Sequence, residues 1–470
     1  MLFNSLQFAF FFLTVTIAYF ILPQRYKWIL LLSASCYFYM SFIPIYILIL
    51  FVTITIDYFA GIWIEEAQGN KKRRIFLIAS ILSTCSVLFV FKYYNFFFSN
   101  INALAAALHW NYSVEVLKLI LPIGLSFHTF QSLAYVIEVY RGNQKAERHF
   151  GIYSLYVMFY PQLVSGPIER PQNLLHQFYE KHDFEYQRVC DGLKMMLWGM
   201  IKKVVIADRL AVYVNAVYNN VGNHNGNTLI LATIFFSFQI YCDFSGYTDI
   251  AIGAAKVMGF NLMQNFNRPY FSKSIAEFWK RWHISLSTWF KDYLYITLGG
   301  NRVRTARLYF NLLVTFLVSG LWHGANWTYV IWGALNGIYL IGEHVLEPVW
   351  GSWFRTRIGF WAGIIATYIL TCIAWVFFRA VNIKDAFLIF HKILFDRGRI
   401  FIPEEAPMVF ALFGILLLLF VDGKHEFFPG RWLMLSSQKV WIRWSTYVFL
   451  VLCFLLIGVF DGGQFIYFQF

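Results

Sequence analysis

Charged residues are scarce in this chain. Only 13% of its 470 residues are Asp, Glu, Lys or Arg, against about 25% in a soluble domain. Cysteine is equally thin. The six residues Cys36, Cys85, Cys190, Cys242, Cys372 and Cys453 include no C-x-x-C pair, and most lie in apolar runs. Neither a disulfide framework nor a zinc site is supported, and these side chains read as small hydrophobes. The chain also lacks a G-x-S-x-G elbow, an H-E-x-x-H pair and a phosphate-binding glycine loop, the signatures of a serine nucleophile, a zinc hydrolase and a nucleotide site. No internal repeat, low-complexity linker or soluble appendage is visible. The simplest organisation is one membrane domain over residues 1–470.

What is abundant is apolar and aromatic surface: 59% hydrophobic and 21% aromatic residues. A soluble core has no use for that much, so the fold class is all-α, a polytopic transmembrane helical bundle. A span needs about 20 apolar residues, and the windows give roughly ten to twelve spans or embedded helices. The net charge of +13 would suggest nucleic acid in a soluble protein. Here Lys and Arg sit in short loops, where they set orientation and meet anionic headgroups, and no basic stripe runs along a polar surface. The segment Met1 to Leu22 has no basic leader and no small-residue cleavage site, so it is expected to stay as a first span.

Along the chain, the apolar run from Trp28 to Ile64 is too long for one span. Pro44, in Ser41-Phe42-Ile43-Pro44, is expected to divide it. The basic clusters Arg25/Lys27 and Lys71-Lys72-Arg73-Arg74 are two spans apart, hence on one side, which the positive-inside rule makes cytoplasmic with the N-terminus outside. A span covers Ile75 to Phe98. Leu117 to Tyr140, with Pro122, Gly124 and His128, predicts a kinked or broken helix. Tyr153 to Val164 is short enough to suit a re-entrant or tilted element better than a full crossing, and Asn173 to Asp191 reads as a surface loop with an interfacial helix. Lys194, Lys202 and Lys203 are expected to snorkel to the headgroups. Asn261 to Arg307 mixes basic and aromatic residues as an interfacial segment does.

Two histidines stand out. His323 lies in Gly320-Leu321-Trp322-His323-Gly324-Ala325-Asn326-Trp327, inside an apolar stretch. An ionisable ring at membrane depth is costly, so it marks a cavity or pathway. On a helix Asn326 would share its face and fix its tautomer, while Gly320 and Gly324 would admit a substrate or another backbone. His283 lies in Glu277-Phe278-Trp279-Lys280-Arg281-Trp282-His283-Ile284-Ser285-Leu286-Ser287, where Trp279, His283, Leu286 and Ser287 share a helical face. It is either one more amphipathic residue of an interfacial helix or the second half of a centre. Two imidazoles flanking one site suit acyl transfer, because histidine accepts a proton near neutrality and a thioester releases a thiolate that needs no strong acid. Asp243 and Asp249, in an apolar run, must be paired or protonated. They either pair with Arg or Lys from residues 268–307 or line an acceptor path.

The run Arg281-Trp282-His283-Ile284-Ser285-Leu286-Ser287-Thr288-Trp289-Phe290-Lys291-Asp292-Tyr293 resembles a motif of the membrane-bound O-acyltransferases, and Gly320 to Trp327 resembles that family's second histidine motif. Ser165-Gly166-Pro167-Ile168, Asp243 to Asp249, Leu298-Gly299-Gly300-Asn301 and the Phe465 to Phe470 tail also match, most like the bacterial alginate O-acetylation branch. The resemblance covers nearly the whole chain. It implies a ring of tilted helices around a central funnel, with re-entrant and interfacial helices. It implies His323 as the catalytic residue, His283 in support, and Trp282, Trp322, Asn326 and Asp292 as substrate-binding residues, with no metal.

Acetyl-CoA would be the cytoplasmic donor substrate, with no permanently bound cofactor. The expected site of action is the bacterial inner membrane. The acetyl group would pass to an extracytoplasmic, esterase-like transferase partner for O-acetylation of an exported or cell-envelope polysaccharide such as alginate, cellulose or peptidoglycan. A sister branch exports D-alanine onto teichoic acids. A transporter without chemistry is a further alternative, but transporters commonly show two related halves, and none is visible. The aromatic tail is either an interfacial anchor or a docking or acyl-path element.

Overall fold

A computed structural model of the chain describes residues 1–117, 119–164, 166–430 and 435–460. Ser165 and the Phe465 to Phe470 tail lie outside the described residues. Among those described, helices are the only regular elements. Seven helices are long and apolar enough to cross a membrane, and Leu6–Ile21 is a shorter apolar one. That count, taken over the described residues, leaves out the shorter apolar helices that the expected ten to twelve spans or embedded helices included. Phe10, Ile17, Leu82, Ile365, Leu416 and Leu456 are exposed on these helices. Apolar surface on that scale belongs against lipid, and the chain is a multi-pass membrane protein.

The chain divides into two compact units, Met1–Leu193 with Ala251–Met263, and Lys194–Ile250 with Gln264 onward. The first unit begins with α1 (Leu6–Ile21), α2 (Gln24–Met40), α3 (Ile47–Glu66), α4 (Asn70–Leu88) and α5 (Tyr94–Ala107). The long run breaks at Pro44 as expected: α2 stops at Met40, and a 3-10 turn over Pro44–Tyr46 opens α3. α4 and α5 form one continuous run of 38 residues through a π-turn at Phe89–Tyr93. Lys27 is buried, its Nζ donating to the His182 carbonyl at 3.0 Å and lying over the Tyr19 ring. Arg25 keeps the exposed position.

In the same unit α6 (Leu125–Arg141) begins only after Gly124, which is left-handed at φ 76°. The described residues from Leu117 to Gly124 form no helix, so the element expected to be kinked or broken is instead a single helix that starts late. The short apolar stretch Tyr153 to Val164 resolves into α7 (Phe150–Met158) and α8 (Tyr160–Leu163). α9 (Pro171–Leu174) and the first half of α10 (Tyr186–Met200) supply the short helices expected after Asn173. Asp57 of α3 accepts from Ser80 (2.6 Å) and Thr84 (3.1 Å) of α4, so a buried carboxylate is matched by hydroxyls across a helix pair.

The second unit holds α11 (Asp208–Tyr218), most of α12 (Gly226–Met258), α13 (Ile275–Arg281), α14 (Ile284–Phe290), α15 (Thr305–His323), α16 (Trp327–Trp350), α17 (Arg357–Arg379), α18 (Ile383–Phe395), α19 (Glu405–Phe427) and α20 (Val440–Ile457). A π-turn at Ile201–Ala207 leads from α10 into α11. Lys202 and Lys203 lie in it, and they do not snorkel. Both are buried. Lys203 Nζ bridges Asp208 (2.7 Å) and Asp243 (2.6 Å), and Lys202 Nζ meets Asp249 (2.6 Å) and Ser245 (3.0 Å). Asp243 and Asp249 are therefore paired, as buried carboxylates must be, and these lysines are among their partners. Close backbone approach makes the pairing possible. A Cβ on Gly199 would lie 2.6 Å from the Gly246 carbonyl, and one on Gly246 would lie 2.8 Å from the Gly199 carbonyl. Small residues at a crossing let two helices approach this closely, which brings the lysine stems down onto α12.

Candidate active site

The helix expected to carry His283 on one face with Trp279, Leu286 and Ser287 is broken at the histidine. α13 starts with a Ser274 cap, whose Oγ accepts from Glu277 N at 3.1 Å. The Glu343 carboxylate of α16 accepts from the next backbone donors, Ile275 N and, at 2.9 Å, Ala276 N. α13 ends at Arg281. His283 follows with φ 43° and ψ 55°, and α14 starts at Ile284. A non-glycine residue in the left-handed region costs about 1–2 kcal/mol and persists where its surroundings dictate it. Here they do: Asn267 N donates to the Arg281 carbonyl and Ile284 N to the Asn265 carbonyl, each at 2.9 Å. The chain before the turn thus brackets the histidine on both sides.

His283 is buried, with the edge of its ring against Phe244 at 4.6 Å between centroids and Phe266 stacked at 6.3 Å. Its Nδ1 lies 3.1 Å from Asn265 Oδ1. Burial, and to a lesser degree the charge of His323, holds this imidazole well below its ordinary range. The ring is neutral at neutral pH and available as a proton acceptor.

His323 is the last residue of α15. Its ring meets Trp332 edge-on at 5.0 Å and Phe378 at 5.4 Å. The expected Asn326 contact does not form. The helix ends at the histidine, Gly324 is extended, and Asn326 caps α16 instead, its Oδ1 accepting from Thr328 N and its Nδ2 donating to the Val381 carbonyl, both at 3.1 Å. An i, i+3 relation holds only while the helix runs. Gly320 fits the second of its two expected uses, approach of another backbone, and Gly324 makes room for an aromatic side chain. A Cβ on Gly320 would stand 2.2 Å from the Tyr329 carbonyl, and one on Gly324 would stand 2.1 Å from the Tyr329 ring. They let α15 and α16 fold tightly against each other.

A run of indoles joins the two histidine segments. Trp282, adjacent to His283 and buried, lies 5.1 Å from Trp375. Trp375 stacks with Trp332 at 6.1 Å, and Trp332 touches His323. Trp282 is held further by Phe278 (5.5 Å, stacked) and Phe266 (5.1 Å). Trp322 is half-buried at the end of α15, and Asp292 is half-buried in a π-turn, Lys291–Tyr295. Asn265, Phe244, Trp332, Trp375 and Phe378 are the site neighbours that sequence reasoning missed. They come from α12, α16, α17 and a loop, and no local spacing marks them. Among the described residues, no group of three or more His, Cys, Asp or Glu gathers as a metal site.

The model of the membrane-bound O-acyltransferase family matches residues 148–383, which include both histidines. The chain is 40% identical over 394 residues to the probable alginate O-acetylase AlgI of Azotobacter vinelandii, covering 82% of this chain and 76% of that protein. It is 37% identical over 420 residues to the peptidoglycan O-acetyltransferase of Helicobacter pylori, covering 82% and 78%. Likeness to the teichoic acid D-alanyltransferase of Bacillus subtilis is 28% over 257 residues, covering 51% and 62%.

Proposed function

Because this chain belongs to the membrane-bound O-acyltransferase family and is an acyltransferase, we propose that it takes acetyl from cytoplasmic acetyl-CoA and passes it across the bacterial inner membrane for O-acetylation of an exported or envelope polysaccharide. The last transfer is made by a separate extracytoplasmic transferase. The observation that carries this reading is the pair of histidine segments bound into one aromatic scaffold by Trp282, Trp375 and Trp332. His323 acts as the base and His283 supports it. The acceptor hydroxyl gives its proton to an imidazole nitrogen as its oxygen bonds to the acetyl carbon, and the carbon–sulfur bond breaks to release the CoA thiolate. General-base assistance supplies about 10²–10⁴-fold, and placement beside the thioester supplies more. Trp282 and Asn326 shape the site through the segments they hold, and Trp322 and Asp292 contact the substrate.

The acetyl donor is favoured over D-alanine because the O-acetylating relatives match over 82% of the chain and the D-alanyl relative over 51%. Purified protein is expected to release free CoA from acetyl-CoA when an acceptor is present, and to leave a D-alanyl carrier protein intact. The reverse preference, read by thiol release, would move the chain to the D-alanyl branch.

The N-terminus lies outside the cytoplasm in this reading, since Lys71 and Lys72 are exposed in the basic cluster that opens α4. A reporter inserted beside Lys72 should behave as cytoplasmic. Periplasmic alkaline phosphatase activity at that point would invert the topology and, with it, the side on which the donor is taken up.

A further inference from the structure

Asn265 stands outside every motif that the sequence singles out, yet its side chain is the hub of the His283 turn. Its Oδ1 accepts three hydrogen-bond contacts: from Ser285 N at 3.1 Å, from Ser285 Oγ at 2.9 Å, and from His283 Nδ1 at 3.1 Å. The first decides the other two. A backbone N–H is always a donor, so the amide end facing Ser285 must be the oxygen. The opposite rotation would set an NH₂ group against that N–H. An amide oxygen only accepts, and Nδ1 at hydrogen-bond distance from it must therefore carry the proton.

We propose that Asn265 is a positioning residue that holds His283 as the Nδ1–H tautomer, leaving the ring's lone pair on Nε2. The partner on one ring nitrogen sets which nitrogen is basic. The rest of the surroundings fix the ring plane to match. The Asn265 carbonyl takes the Ile284 N–H, so the same residue holds the turn through its backbone and the ring through its side chain. Phe244 stands perpendicular to the imidazole at 89° and Phe266 lies nearly parallel at 26°, so the ring is held against rotation. Asn265 is fully buried, and its Nδ2 has no hydrogen-bond partner among the described residues. That is a desolvation cost which a leucine of similar volume would avoid. The contribution of the residue therefore lies in Oδ1. When Nε2 takes a proton, the Nδ1–H remains on Asn265 and the imidazolium keeps a dipole facing it.

The catalytic consequence rests on the reading of His283 as part of the acyl-transfer centre, whereas the tautomer does not. The test separates them. Full-length protein carrying ¹⁵N-histidine is examined by NMR at about pH 8, above the ordinary imidazole range. The His283 signals are identified by their loss in His283→Gln. The expected spectrum shows a protonated Nδ1 and a bare Nε2. A protonated Nε2 in the unaltered protein overturns the inference, whatever the activity. Asn265→Leu should shift the proton toward Nε2 and lower acetyl transfer about 10²-fold. Asn265→Asp presents oxygens to the same three donors and should restore Nδ1–H with activity within tenfold of the original. Equal loss in the Asp and Leu variants, with an unchanged His283 spectrum in both, would reduce Asn265 to a packing residue. Full activity in His283→Gln would remove His283 from the chemistry and leave the tautomer result standing.

Discussion

Replacing His323 by alanine is expected to lower polysaccharide O-acetylation by at least about 10²-fold, the smaller end of what a general base contributes. The protein should remain folded in the membrane. The imidazole lies at the end of α15, packed edge-on against Trp332 and Phe378, and its removal takes away ring contacts without opening a helix. Acetyl content of the glycan, set beside the elution profile of detergent-purified protein, makes the measurement. Full acetylation would withdraw the catalytic role from His323, and a collapsed elution profile would assign the residue to stability.

The second large effect belongs to Lys203. Its ammonium sits 2.6 Å from Asp243 and 2.7 Å from Asp208, and all three side chains are almost entirely buried. Lys203→Met would leave two carboxylates without that cation, and breaking a buried pair from one side costs about 3–5 kcal/mol. Thermal unfolding in detergent should show a large fall in midpoint. Adding Asp208→Asn and Asp243→Asn should recover much of it, because the carboxylates left behind account for most of the cost. Lys181→Met serves as the control: the Lys181–Asp183 pair is exposed, and solvent-screened pairs of this kind contribute little to stability. A midpoint for Lys203→Met equal to that of the control would mean that the buried triad carries no stability.

The parts of this molecule that local pattern governs were legible before any coordinates. Apolar run lengths mark the membrane class, and Pro44 divides α2 from α3. His283 and His323 could be singled out because an ionisable ring in an apolar run is conspicuous by composition alone. The rest depends on contacts distant in sequence. Lys202 and Lys203 read as snorkelling side chains until Gly199 and Gly246 bring α12 close enough to present Asp243 and Asp249. The helical face drawn through Trp279, His283 and Ser287 assumed an unbroken helix. Asn265 and Asn267 bend the chain at His283 through hydrogen bonds that no periodicity records. Asn326, placed beside His323 by the same assumption, is instead the cap of the next helix.

α16 touches both histidine segments. Trp332 meets the His323 ring, Asn336 Oδ1 accepts from Trp279 Nε1 at 3.3 Å, and Glu343 closes the first turn of α13. From 332 to 343 is eleven positions, about 16 Å of axial rise, so one rigid rod acts as a splint between the two imidazoles. A change in the length or bend of this rod between Trp332 and Glu343 therefore shifts both histidine segments together.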